Sequence, residues 1–259
     1  MRLKAASVWL GLAFTHHASF VGLLRSIKTS AGVALSGSAS HFYPHESVKT
    51  QKTDPGRFDR INAIADSLAA QSKKAKAITA GAIDEKRDVL MGIEGAAGRL
   101  YWQAVGEIIG GKTEFMGREH RGATDMVNAA LNYGYGILYG NVWGAALNAG
   151  LEPFAGFLHV DRPGKPSLVL DLVEEFRQPV VDRAILSAVN LGMSIHLENG
   201  QLDKTSRDMI AARVLDRLVS TEKHDGKEYQ IRSIIQMQAR RLGSFLRGGK
   251  PYEAFRFQW

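Results

Sequence analysis

Cysteine is absent from the 259-residue sequence. That excludes disulfides, thiolate zinc sites and cysteine nucleophiles, and it is compatible with a reducing compartment. No apolar run is long enough to span a membrane. Internal repeats and low-complexity tracts are missing as well. Carboxylates are in deficit: 26 acidic residues against 33 basic ones leave a net charge of +7. An excess of that sign favours an anionic partner such as nucleic acid. Met1-Arg2-Leu3-Lys4 and the mostly apolar Ala5 to Phe14 faintly resemble a secretory signal. However, His16-His17 follow directly and no small-x-small cleavage site does. The expectation is therefore a cytoplasmic chain.

What is present is enough apolar residue, 45%, to bury one large domain with or without a small appendage. Residues 1–50 read as a small α/β region: Phe20 to Ile27 looks helical, and Gly32-Val33-Ala34-Leu35-Ser36 looks like a short strand. His45 to Arg57, with Asp54-Pro55-Gly56, reads as a linker. Residues 51–259 read as a mainly α domain. Ile61, Ile64, Ala65 and Leu68 recur at helical spacing. A helix over Asp88 to Ile109 has Ile93, Ala97, Leu100, Tyr101, Ala104 and Ile108 as its apolar face, with Glu94 beside it. Thr124-Asp125 caps a further helix that runs to a stop at Gly150. Gly136, Gly140 and Gly144 lie four apart in it, and the expectation is that another backbone packs along that face. Ala184 to Leu191 and Thr205 to Leu218 read as helices. A hairpin or loop surrounds Asp225-Gly226. A basic helix, Ser233 to Leu246, leads to an aromatic tail with Tyr252, Phe255, Phe257 and Trp259.

Three motifs carry candidate chemistry. Gly106-Glu107-Ile108-Ile109-Gly110-Gly111-Lys112-Thr113 fits the P-loop pattern letter for letter. A P-loop needs a strand before it and a helix after it, and neither pattern is there, so the segment reads as a helix C-terminus with a glycine stop. His41 and His45 have a zinc-compatible spacing, but Pro44 lies between them and no acidic partner is near. The third motif is the most informative. Gly156-Phe157-Leu158-His159 is followed by a basic Pro/Gly turn with Arg162 and Lys165, and then by an apolar run bearing Asp171, Glu174 and Glu175. A histidine and carboxylates held on neighbouring elements across a short loop suit a divalent metal, and the basic turn suits a phosphate. The residues alone leave a second reading open, with His159 bonded to a backbone carbonyl and Glu174, Glu175 and Arg177 on a solvated, salt-bridged face. Pro179 is expected to kink or restart the helix.

These blocks, taken in order, resemble the CRISPR-associated integrase of spacer acquisition, the universal adaptation endonuclease family. Ile93-Glu94-Gly95 through Tyr101-Trp102 is similar to its first acidic motif. Asp125-Met126-Val127-Asn128-Ala129 with Tyr133-Gly134-Tyr135 is similar to its central helix. Gly150-Leu151-Glu152-Pro153, Gly156-Phe157-Leu158-His159 and Ser167 through Arg177 are similar to its histidine and second acidic motifs. The resemblance implies a helical catalytic domain and metal ligation by Glu94, His159 and Glu174, with Asp171 an acidic residue beside the site. It implies Mg²⁺ or Mn²⁺. Only 93 residues precede Glu94, so the family's β-rich N-terminal domain, which pairs two subunits, reads as reduced.

The expected function is insertion of short DNA fragments into a CRISPR array, by attack of a 3′-hydroxyl on a phosphodiester at the edge of a repeat. Arg162 and Lys165 are candidates to meet charge on the phosphorus oxygens. Arg118, Arg121, Arg240, Arg241 and Arg247 are candidates to track the duplex backbone. Expected partners are double-stranded DNA, further copies of the chain in a two-fold assembly, and the small bridging adaptation protein. The alternatives are a non-catalytic architectural DNA-binding protein, a nucleotide hydrolase, and a transposon integrase of the same fold.

Overall fold

A computed structural model of the chain describes residues 54–78, 83–120, 122–159 and 163–257. The expectations for residues 1–50, for the His41/His45 pair and for Arg121, Arg162 and Trp259 lie outside the described residues. Within them the protein is mainly α.

The first described helix, α1 (Pro55–Lys76), begins where a linker was expected. Asp54 is its N-cap and accepts from the Arg57 backbone N–H at 2.9 Å. Pro55 occupies the first turn, where a missing N–H costs nothing. Asp-Pro-Gly is thus a helix start rather than a turn. Ile61, Ile64, Ala65 and Leu68 form its buried face, packed on α2 (Ile83–Ile109). The two are clipped together where Arg60 forks onto both oxygens of Glu107 at 3.0 Å.

The P-loop look-alike closes α2. Gly110 and Gly111 take φ of 60° and 76°, which ends the helix. The Arg57 guanidinium donates to the Ile108 carbonyl at 2.8 Å and fills the space where a Cβ on Gly110 would sit. No helix follows Lys112-Thr113. The segment therefore lacks the architecture that cradles phosphates.

The centre is α3 (Met126–Asn148), capped by Asp125 as expected; Asp125 accepts from the Asn128 backbone N–H at 2.8 Å. Gly150, φ 69°, follows its end. Val127, Ala130, Leu131, Leu138, Val142 and Ala146 are fully buried. Close packing along Gly136, Gly140 and Gly144 is not what the structure has. A Cβ added at any of the three meets nothing within 4 Å among the described residues. The close approach is at Gly134, where an added Cβ would lie 2.8 Å from Val181 Cγ1.

After α4 (Ser167–Val173) the chain turns into a π-helical segment, Arg177–Asp182, and resumes as α5 (Arg183–Asn190). Pro179 lies inside the π-helical segment. Its missing N–H and ring clash bar a continuous α-helix, and the restart at Arg183 is the expected break. Two hairpins follow, β1 (Leu197–Glu198) with β2 (Gln201–Leu202), and β3 (Thr221–His224) with β4 (Lys227–Gln230). Asp225 and Gly226 join the second at φ 52° and 77°, the paired left-handed residues of a tight hairpin turn. Between the hairpins runs α6 (Lys204–Val219), and α7 (Ile231–Leu246) completes the bundle around α3. The tail folds back: Tyr252, Phe255 and Phe257 are buried, and Phe255 stacks on Phe176 with centroids 5.6 Å apart. Among the described residues no helix is long and apolar enough to cross a membrane.

Candidate active site

The His159 loop is built by α4. Gly156 packs so tightly on Ser167 that an added Cβ would come within 2.5 Å of it. The Gly156 N–H donates to Ser167 Oγ at 2.9 Å, and Ser167 donates to the Phe154 carbonyl at 2.6 Å. One turn further along α4, the carboxylate of Asp171 gathers the loop. It accepts from the backbone N–H groups of Phe157, Leu158 and His159 at 2.6, 3.1 and 3.2 Å. It also bonds His159 Nδ1 at 2.7 Å. From the other side, Arg87 of α2 donates to the carbonyls of Leu158 and Phe157, both at 3.1 Å. The loop is therefore tied both to α4 and to the helix that carries Glu94.

Glu94 sits about two turns after Arg87 on α2. With Glu174, just past α4, it lines a cavity of about 1040 Å³ whose walls include Trp102, Arg118, His120 and Arg177. His159 is not in the lining, but its charge is felt at Glu94. Glu94 makes no hydrogen bond or ion pair among the described residues. Burial first, and then the facing charge of Glu174, push its carboxyl up to about 7. Glu174 accepts from Arg177 at 2.7 Å. Burial pulls His159 down, but the bond to Asp171, with the charges of Asp171, Glu174 and Glu94, carries it above its ordinary value. As placed, no three His, Asp or Glu side chains among the described residues close into a ready-made metal cage. Glu174 is ion-paired with Arg177, and its charge acts on both Glu94 and His159.

The remaining sequence candidates scatter. Arg118 faces the cavity instead of the outer surface. Lys165 and Arg240 are exposed, Arg247 is exposed at the end of α7, and Arg241 is paired with Asp225 beside the β3–β4 turn. The solvated face proposed as the second reading for Glu174, Glu175 and Arg177 is absent. Glu175 is buried, and Arg177 lies in the cavity wall with its ring-facing side 4.5 Å from the Tyr135 centroid.

Comparison with known proteins decides the lineage. The family model for CRISPR associated protein Cas1 matches residues 45–213. This chain belongs to the Cas1 family. It is 39% identical to the CRISPR-associated endonuclease Cas1 1 of Archaeoglobus fulgidus, over 78% of this chain and 64% of that protein. It is 32% identical to the endonuclease Cas1 2 of Saccharolobus solfataricus, over 95% of this chain and 81% of that protein. Against the Francisella tularensis endonuclease Cas1 1 the match spans 52% of the relative, so the chain covers between about half and four-fifths of these Cas1 proteins. The fold is that of a CAS1 protein from Thermotoga maritima (TM-score 0.67, 23% identity, 97% of this chain and 72% of that one). It is also that of a casposase bound to integration product (TM-score 0.70, 22% identity, 99% and 63%).

Several groups at the site carry no signal in composition or spacing. Arg177 reads in sequence as a surface partner of Glu174, and Asn128, Asn132 and His120 read as neutral. The one available cue is that Asn128 and Tyr135 fall inside the Cas1-like central block.

Proposed function

We propose that this Cas1-family chain is a divalent-metal-dependent DNA integrase and endonuclease. Its substrate is a short DNA fragment, whose 3′-hydroxyl oxygen bonds to a phosphorus at the edge of a CRISPR repeat while the 3′-oxygen of the attacked strand leaves with a proton. One observation carries the reading: Glu94 and Glu174 are two carboxylates set against each other in a desolvated cavity, and Glu94 has no hydrogen-bond partner among the described residues. Such a pair is costly unless a proton or a cation sits with it.

The donor set fits Mg²⁺ or Mn²⁺ by its chemistry. Two carboxylates and one imidazole suit a hard or borderline divalent ion. Asp171 holds His159 at Nδ1, the carboxylate–histidine arrangement that fixes the ring and leaves Nε2 as the ligand nitrogen. Glu94, His159 and Glu174 would hold the ion, with Glu174 exchanging its Arg177 contact for it. A bound ion lowers the pKa of an attacking hydroxyl and polarises a phosphodiester.

The chain's own residues do the rest. Asp171 and Arg87 keep the His159 loop against α4 and α2, so that imidazole and carboxylates are fixed on rigid elements. The hydrophobic walls of Trp102 and Phe115 reduce water access, which strengthens every charge inside. Water in place of the hydroxyl gives the nuclease reaction at the same site. Joining both ends of a fragment needs two such sites, hence a two-fold assembly of this chain, with the bridging adaptation protein as a further partner.

The test uses the purified chain, a fluorescent DNA fragment and a supercoiled plasmid carrying a repeat. Strand transfer is expected with Mg²⁺ or Mn²⁺ and is expected to stop in chelator. Calorimetric titration of Mn²⁺ should show binding that Glu94→Ala, His159→Ala and Glu174→Ala each weaken. Transfer that persists in chelator, or Mn²⁺ affinity unchanged in all three variants, would sink the proposal.

A further inference from the structure

The cavity holds a cation that makes no ion pair among the described residues, although the charges of Asp182 and Asp125 reach it. Arg118 lines it beside Glu94 and Glu174. Its guanidinium is fixed by neutral oxygens only: Asn128 Oδ1 at 2.9 Å, Asn132 Oδ1 at 2.6 Å and the backbone carbonyl of Glu119. No Asp or Glu lies within ion-pair distance of it among the described residues. Its Nε–H is shielded from solvent and has no acceptor there. The clamp is itself rigid. Asn128 is fully buried, donates to the Gly117 carbonyl and to Asp125 at 2.7 Å each, and accepts from the Glu119 N–H at 2.9 Å.

A second cation shares the wall. The Tyr135 ring carries Arg118 at 5.2 Å and Arg177 at 4.5 Å from its centroid, and Arg118 also lies 5.7 Å from the Trp102 ring. The ring is held in place because Tyr135 and Tyr101 both donate to the buried carboxylate of Asp182. Arg177 uses a donor on Glu174 at 2.7 Å; a guanidinium has five. His120, also in the lining, is lowered by burial and then by Arg118 and Arg177, so all three feel one another. Glu174, Tyr135 and Asp182 offset the charge of Arg177, whereas Arg118 is lowered by burial and by Arg177, a cost that a bound anion relieves.

We propose that Arg118 and Arg177, pre-set by the Asn128–Asn132 clamp and the Tyr135–Asp182 support, are the seat for one DNA phosphate inside the cavity. This rests on the reading of the cavity as a DNA site. It places a phosphate-binding role in the cavity wall, in addition to the one expected for the Arg162–Lys165 turn. Asn128, Asn132, Tyr135 and Asp182 are positioning residues, since they act through the two arginines.

The experiment measures binding of a short DNA duplex to the full chain by fluorescence anisotropy, in chelator, over a series of salt concentrations. Each phosphate neutralised contributes about 0.9 to the slope of log K against log salt. Arg118→Ala is expected to reduce the slope by about 0.9, which is roughly an eightfold loss of affinity at 0.1 M salt. Asn132→Asp is the second variant. It leaves the arginine in place but gives it a carboxylate, and is expected to lower the slope equally. It covers the case in which Arg118→Ala folds poorly. Lys204→Ala, exposed on α6 and paired with Asp208, should keep the wild-type slope. Wild-type slopes in both Arg118→Ala and Asn132→Asp overturn the seat. A wild-type chain that binds DNA with the expected slope losses but transfers no strand in any metal supports the seat and overturns the catalytic reading. A wild-type chain that binds no DNA overturns both.

Discussion

Glu94 and Glu175 carry the same perturbation for different reasons. Burial pushes each carboxyl up to about 7. Glu175 lies in the core between α4 and the tail, and every oxygen is answered. Tyr252 donates to Oε1, while the Phe255 N–H at 2.7 Å and Gln238 Nε2 at 2.9 Å donate to Oε2. Those bonds pull back against burial. Glu94 has no such bonds, and the nearest strong influence after burial is the like charge of Glu174. Glu175 is a fastening that holds the C-terminal segment on the bundle. Glu94 is a group kept unsatisfied in a cavity. A shifted pKa therefore marks neither structure nor function; what the carboxylate touches separates the two.

The sharpest way to break this comparison is catalytic. Glu94→Gln keeps size and loses charge, and strand transfer should fall by about a thousandfold or more if Glu94 is a metal ligand as proposed. Glu175→Gln, measured in the same assay on folded protein, should stay within about tenfold of wild type. Equal losses would mean that the two carboxylates form one functional unit. The next effect is on stability, in the opposite order. Glu175→Ala leaves the Tyr252 hydroxyl and the Phe255 N–H in the core without their acceptor, while Gln238 keeps Tyr252 and the Glu253 carbonyl, and should cost about 3 kcal/mol in urea unfolding.

The third prediction turns on pH. A free glutamate near 4.5 is raised to about 7 at Glu94. Between those values the folded state binds the proton that the unfolded state releases, so stability falls as pH rises from about 4.5 through 7. In chelator, Glu94→Gln should remove that loss. The variant should be more stable than wild type above pH 7, by about 2 kcal/mol after allowing for solvent reaching the cavity, and should match it below pH 4.5. A constant difference across that range would mean that Glu94 is not the strained group.

Local signals in the sequence located most elements. Asp125, Gly150, Pro179 and Asp225-Gly226 each work by a short-range mechanism, and each ends or opens an element as read. The site was legible mainly through the likeness to Cas1 blocks. Helical periodicity failed just after Val173. There α4 gives way to a turn over residues 174–176 and then to a π-helical segment from Arg177, so Glu175 and Arg177, which the alternative reading put on a solvated face, turn inward. Arg118 was read as a candidate to track the duplex backbone, and its place inside the cavity escaped for another reason. Its place is set by Asn128 and Asn132, a turn apart on α3, and by aromatic rings brought in from two helices, none of which a basic-residue count detects.

The smallest prediction tests the glycines of α3, where spacing misled. Four-residue spacing places Gly136, Gly140 and Gly144 along one face, and a close helix contact is the usual reason to tolerate their cost. The contact is at Gly134 instead, where a Cβ would press on Val181 of the π-helical segment, next to Asp182. If packing is the issue, Gly140→Ala should stabilise the monomeric chain by about 0.5–1 kcal/mol through helix propensity alone. Gly134→Ala should destabilise it by about 1–2 kcal/mol, because Val181 must move within a full core. A loss at Gly140 comparable to that at Gly134 would show that the open face is covered in solution by something outside the described residues, and would restore the reading of the glycine row as a packing surface.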